Sequence, residues 1–223
     1  SQNNMIVQDV IQHLETYAPL AYAEDFDNVG LLVGNKKNTV TGVLVTLDTL
    51  ETVVDEAIDN NCNLIVSFHP IIFKGLKKIT GKNYVERVVL KAIKHDIAIY
   101  AIHTALDNHV NGVNDIISNQ LKLQHKKILI PQAQTIKKLT TYVPKNEAEG
   151  LRTALFEAGA GSIGNYNNCS FNTEGTGTYN SNENANPTKG QIGETHYEAE
   201  TKVTVTFAKH LESKIVRSLL KNH

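Results

Sequence analysis

Along the first half of the chain, apolar positions follow two alternating rhythms. Val7, Val10, Ile11 and Leu14 fall at helical spacing, and Pro19 closes that segment. From Gly42 onward, short continuously apolar runs alternate with amphipathic stretches. Gly42 to Leu47 predicts a strand ending at Asp48, and Glu51 to Asn60 a helix with Thr49 as its cap. Asn63 to Ser67 predicts a strand, Tyr84 to His95 a helix facing inward with Val85, Val88, Val89, Ala92 and Ile93, Ile97 to Ile102 a strand, and Val113 to Leu121 a helix. Strands that are apolar throughout, separated by amphipathic helices, predict an α/β domain whose parallel sheet is covered on both faces. Ligands of such sheets gather beyond the carboxyl ends of the strands. Asp48, His69, His103 and Asp107 all lie just past three of those ends.

The rhythm changes near Pro131. Leu139 to Val143 predicts a short strand, and Asn146 with Glu149 forms a capping-box pattern ahead of a helix. That helix buries Ala148, Leu151, Ala154, Leu155 and Ala158, and Gly159 ends it. Val203, Val205 and Phe207 alternate with threonines in a half-buried strand, and Ile215, Val216, Leu219 and Leu220 stripe a last helix. Between them, Gly161 to His196 is polar and rich in Asn and Gly, too long for an ordinary loop, which predicts irregular strands or a mobile excursion. The order strand, helix, strands, strand, helix predicts a ferredoxin-like α+β unit. Such a unit takes one further strand after its second helix, so the polypeptide is expected to be cut short of a natural boundary.

Composition narrows the picture by exclusion. The 223 residues are 41% hydrophobic and 20% charged with a net charge of −1. No global field draws the chain to nucleic acid or an anionic membrane, and no apolar run approaches the roughly 20 residues of a membrane helix. Residues Ser1 to Asn4 lack the parts of a signal peptide, and Met5 is expected to be the native start. The two cysteines, Cys62 and Cys169, have no paired spacing and read as reduced thiols in a cytoplasmic protein.

Several residues carry chemistry with a plainer alternative beside it. His69 follows a buried strand and precedes Pro70; it is either structural or a ligand. Asp107 sits four residues past His103 in a predicted loop, and loop carboxylates often cap or turn. Imidazole and carboxylate together at neighbouring strand ends suit a divalent transition metal, with His103 either ligating or orienting a ligand. Glu24 to Gly34 reads as a turn into a strand or as a loop bordering that site. Gly159, Gly161 and Gly164 match a dinucleotide pattern literally, but they follow a helix and lead into polar sequence, the wrong context for that fingerprint. Lys74, Lys77 and Lys78 read as a solvated face or as an attractor of phosphate.

Three motifs in order carry a resemblance: Asp27-Asn28-Val29-Gly30-Leu31-Leu32-Val33-Gly34, Ser67-Phe68-His69-Pro70-Ile71-Ile72-Phe73-Lys74, and His103-Thr104-Ala105-Leu106-Asp107. They resemble the Nif-three-like family, also called the GTP cyclohydrolase I type 2 homologue family. The resemblance implies a metal-binding domain, its N-terminal half, over residues 1–130. Residues 137–223 resemble the PII-like, CutA-like insert of longer members, through Phe156 to Tyr166, Cys169-Ser170-Phe171, Glu174 to Gly177 and Ala185-Asn186-Pro187.

What the resemblance implies is a cytoplasmic homo-oligomer, typically a hexamer, with up to two divalent metal ions per full-length subunit: zinc, iron or manganese. His69 matches one metal-ligating histidine and Asp107 the bridging carboxylate, while His103 matches a nearby histidine with a supporting role. The family pattern His-His-Pro is here Phe68-His69-Pro70, so one ligand position is lost. Two further ligands, a His and a Glu, are implied in a segment beyond the insert. The function implied is a metal-dependent hydrolase, with no feature that reads a purine. The alternative is a non-enzymatic metal-binding regulator or scaffold whose PII-like insert senses a small molecule.

Overall fold

The strand β1 (Gly30–Val33) and three apolar runs, β2 (Val43–Thr46), β3 (Leu64–Ser67) and β4 (Ala98–Ala101), form one sheet in the order β1-β4-β3-β2. The computed structural model describes residues 4–186 and 191–223, so Ser1 to Asn3 and Pro187 of the motifs above lie outside the described residues. The chain divides into two compact units, Ser1–Leu129 and Ile130–His223.

In the first unit β2, β3 and β4 pair in parallel without a register shift, Val43 beside Leu64 and Leu64 beside Ala98. The expectation of a wholly parallel sheet is corrected at one edge, where β1 runs antiparallel to β4. β1 and β4 are separated in sequence by β2, α2, β3 and α3, so no single crossover links them and fixes a parallel direction. Helices α2 (Glu51–Asp59) and α3 (Tyr84–Lys94) cover one face through Val54, Ala57, Val88, Val89 and Ala92. Helix α1 (Val7–Tyr17) covers the other with Val7 and Ile11, packed against Leu64, Val66, Ala98 and Tyr100. Strands β3 and β4 are buried along their whole length. Coverage on both faces fails at β2, whose Val43 and Val45, with Leu47 just past it, are exposed.

Capping also departs from expectation at α2. Leu50 holds the N-cap position with no side-chain bond, and Thr49 is buried one residue earlier. At α3 the cap is a side chain: Asn83 Oδ1 accepts the Glu86 amide at 2.9 Å. Gly34 ends β1 at φ +102°, and a Cβ built there would lie 2.7 Å from Ala98 Cα. Only glycine lets β1 close on β4 at that point. The segment after β4, expected as a loop, is the short helix α4 (His103–Asp107), followed by α5 (Val113–Gln120).

In the second unit β5 (Ile136–Pro144), α6 (Ala148–Glu157), β6 (Phe171–Asn180), β7 (Thr195–Ala208) and α7 (Glu212–Asn222) follow in sequence. The strands form an antiparallel sheet in the order β5-β7-β6. Val143, Leu151, Leu155, Val203, Val205, Phe207 and Ile215 make its core. Asn146 does not cap α6: it lies in a 3-10 turn, Lys145–Glu147, that leads straight into the helix. The polar stretch expected to be irregular holds instead a regular ladder, with Phe171 to Asn180 paired to Thr204 to Thr195. Its threonines and aromatics suit strand geometry even where both faces are wet. Gly159 ends α6 at φ +109°, and the Ala160 amide reaches back to the Leu155 carbonyl, the usual glycine stop.

Candidate metal centre

The parallel ladder continues past the strand ends and sets the site. Phe68 and His69 amides donate to Thr46 and Leu47 carbonyls, and Ile102 and His103 amides donate to Ser67 and Phe68 carbonyls. Residues following β2, β3 and β4 are thereby stacked side by side. Asp48, His69 and His103 come together for this reason, because register is inherited from the buried strands.

His69 Nδ1 lies 2.7 Å from Asp48 Oδ1, and both side chains are about half exposed, at 45% and 50%. His103 Nδ1 lies 2.9 Å from Asp27 Oδ1, with the histidine 21% and the aspartate 0% exposed. The two imidazole rings stand edge to face, centroids 5.4 Å apart. Phe68 contacts both, at 5.0 Å from His69 and 5.3 Å from His103. Its ring occupies the position beside His69 and offers no donor atom.

Asp107 closes the turn of α4 that His103 opens, a spacing that puts the two on one side of a helix. Burial pushes its carboxyl above the ordinary value; His103 and His69 pull it back, and the Asp27 charge adds to the rise. Asp107 thus lies within electrostatic reach of both histidines and of Asp27. A cation seated there would favour its ionised form.

Asp27 is the residue the sequence understated. Glu24 to Gly34 is a turn leading into β1, as the plainer reading has it, and it also carries a buried carboxylate into the site. Asp27 accepts from the Asn28 amide at 2.8 Å, from His103 Nδ1, from the Thr104 amide at 3.1 Å and from the Thr104 hydroxyl. Burial alone raises this carboxyl, but the bonds from His103, Thr104 and Asn28 outweigh it and hold the group below its usual range. Asn28 ties the same loop to the segment after β3, donating from Nδ2 to the Ile72 carbonyl at 2.6 Å. The signal available in sequence was an acid-amide pair ahead of a glycine-bounded strand; nothing in its spacing names His103 as the partner. His103 itself has φ +27°, an uncommon backbone for a residue with a side chain, of the kind that gathers at functional sites.

The donor chemistry fits a divalent metal: imidazoles whose Nδ1 is engaged by a carboxylate keep Nε2 for a ligand, and a carboxylate stands beside them. The number of donors falls short of a closed site. Among the described residues, no group of three or more His, Cys, Asp or Glu side chains is placed to hold a metal ion. A cavity of about 460 Å³, lined by residues such as Asn38, Asn61, Asn63 and Asp96, lies at the opposite, amino ends of the strands. Asn63 is already spent there, bonding the Thr39 carbonyl and the Thr41 amide. No helix among the described residues is long and apolar enough to cross a membrane.

A sheet with parallel strands, carrying histidine and carboxylate at adjacent carboxyl ends, defines an α/β protein with its candidate site on the rim of the sheet. Residues 5–184 match the Duf34/NIF3 (NGG1p interacting factor 3) family, and the chain belongs to that family. A Bacillus subtilis relative named GTP cyclohydrolase 1 type 2 homolog is 41% identical over 217 residues, covering 97% of this chain and 58% of the relative. A Halalkalibacterium halodurans relative of the same name is 39% identical over 97% of this chain and 58% of its own length. The crystal structure of a Bacillus cereus protein related to NIF3 superposes with a TM-score of 0.83 at 36% identity, covering all of this chain and 59% of that one. A Staphylococcus aureus structure matches at a TM-score of 0.67 and 31% identity, over 100% of this chain and 58% of its own. The chain thus spans rather more than half the length of the curated relatives it matches.

Proposed function

We propose that the rim of the first unit binds a divalent metal ion, zinc, iron or manganese, with His69 and Asp107 as ligands and His103 in support. The observation that carries this is the pair of carboxylate-held imidazoles at neighbouring strand ends, with Asp107 one helical turn past His103 in α4. A bound ion would supply Lewis acidity and an activated water. The chain's own part is to hold the donors in register and wall the site with Phe68. The family resemblance implies two further ligands, a His and a Glu. With two protein ligands, binding by the chain alone is weak.

Two readings of the activity follow. In the first, the protein is a metal-dependent hydrolase, of a kind with relatives named GTP cyclohydrolase 1 type 2 homolog. In the second, it is a non-enzymatic metal-binding regulator or scaffold. The Phe68 ring favours the second, since it sits against both imidazoles where a second donor would stand. In either, residues 137–223 act as a ferredoxin-like, PII-like domain that senses a small molecule, a reading supported by the β5-β7-β6 order with both helices following strands. By the same resemblance, the protein assembles as a cytoplasmic homo-oligomer, a hexamer.

Elemental analysis and zinc titration of the protein, with His69→Ala and Asp107→Ala beside it, test the site. Each substitution is expected to lower metal content; content unchanged in both sinks the reading. Assays with phosphoesters and GTP under added metal then separate the two activities. Turnover abolished by Asp107→Ala supports the hydrolase, and no Asp107-dependent turnover leaves the binding role.

A further inference from the structure

Thr104 determines how the protons around Asp27 are arranged. Its hydroxyl accepts the Glu24 amide at 2.9 Å, so its own proton goes to Asp27. The Asn28 and Thr104 amides are donors by nature. Three of the four bonds to Asp27 therefore come from fixed donors, and the carboxylate is fully served as an acceptor. Only the fourth partner, His103, has a choice of tautomer. An ionised carboxylate 2.9 Å from Nδ1 requires the proton there. We propose that Asp27 is a positioning residue of the rim site: it fixes His103 as the Nδ1–H tautomer and so keeps Nε2 a lone-pair acceptor in the supporting role His103 has beside His69 and Asp107. This rests on the metal-binding reading for its purpose, though not for the tautomer itself.

The same carboxylate holds the helix that bears the ligand. Asp27 takes the Thr104 amide in the first turn of α4, and Asp107 is the last residue of that helix. One buried side chain on the loop before β1 thus sets the ring of His103 and the seat of Asp107 together. Its complete burial makes it a poor ligand and a good strut. Loss of such a partner costs about 10–100-fold in metal affinity in comparable sites.

The test begins with metal-free protein labelled with 15N-histidine. Long-range proton–nitrogen correlation, at a pH where the ring is neutral, is expected to show His103 protonated on Nδ1 and bare on Nε2. An Nε2–H tautomer in the unaltered protein overturns the proposal outright, and this spectrum needs no variant to fold. In Asp27→Asn the tautomer is expected to mix, and zinc affinity to fall by about 10–100-fold. Thr104→Val, which removes the hydroxyl donor alone, is expected to lower stability while leaving His103 on Nδ1. A folded Asp27→Asn protein with unchanged tautomer and unchanged zinc affinity also overturns the proposal. Should His69→Ala and Asp107→Ala leave zinc binding untouched, the metal reading fails, while the tautomer in metal-free protein still decides Asp27.

Discussion

Asp27 and Glu86 show how a carboxylate is kept ionised away from water, one at the site and one far from it. Glu86, buried in the first turn of α3, accepts from the Thr80 amide at 3.0 Å and from the Thr80 hydroxyl at 3.3 Å. The Thr80 amide is the largest influence, and together with the hydroxyl, the Asn83 contact and Lys82 it outweighs burial, so the carboxyl lies below its ordinary value. A carboxyl lowered in the folded state contributes stability above its unfolded pKa, and that stability is lost as pH falls through the folded value. Glu86→Gln is therefore expected to destabilise at neutral pH, with the deficit shrinking as pH drops below about 4. Urea midpoints of both proteins across that range check it. A deficit that stays constant with pH would show that Glu86 acts through shape and not charge.

At the scale of elements, register was the legible part. The apolar runs ending at Ser67 and Ala101 are buried along their whole length, so their sequence names them as strands and places His69 and His103 beyond their ends. What sequence left unread is contact between distant segments. The partnership of Asp27 with His103 depends on β1 folding back antiparallel on β4, and neither end of that pairing carries a hydrophobic signal distinguishing it from a parallel one. Strand β6 was obscured for another reason: nine of its ten residues are exposed, so it lacks the alternation that marks a half-buried strand, whereas β7 shows that alternation at Val203, Val205 and Phe207. Gly34 is where the β1 pairing is decided. Gly34→Ala places a Cβ 2.7 Å from Ala98 Cα at a positive φ, and it is expected to cost about 2–4 kcal/mol. Because Asp27 precedes the same strand, zinc affinity should fall with it. Gly164, also at positive φ but with nothing within 4 Å, gives the contrast. Gly164→Asn is expected to cost well under about 1 kcal/mol, and equal losses in the two variants would show that packing against Ala98 is not what Gly34 serves.

For the molecule as a whole, the open feature is the β2 edge. β3 is paired on both sides, whereas β2 ends the sheet, and its Val45 and the Leu47 just past it are 78% and 60% exposed. An edge strand with free backbone groups and apolar side chains is a template for another strand. Val43 and Val45 stand exposed on one face of this strand, with no charge to discourage pairing. The protein is expected to self-associate in a concentration-dependent way, and a single lysine there should suppress it, since edge charges are what natural sheets use against such pairing. Val45→Lys, measured by sedimentation velocity over a range of concentrations, should shift the distribution toward the monomer with unchanged far-ultraviolet circular dichroism. The substitution lies on an exposed position, so the core under α2 and α3 is not disturbed. An oligomer that persists in Val45→Lys with the same concentration dependence would move the association away from β2, to the second unit or to another face of the first.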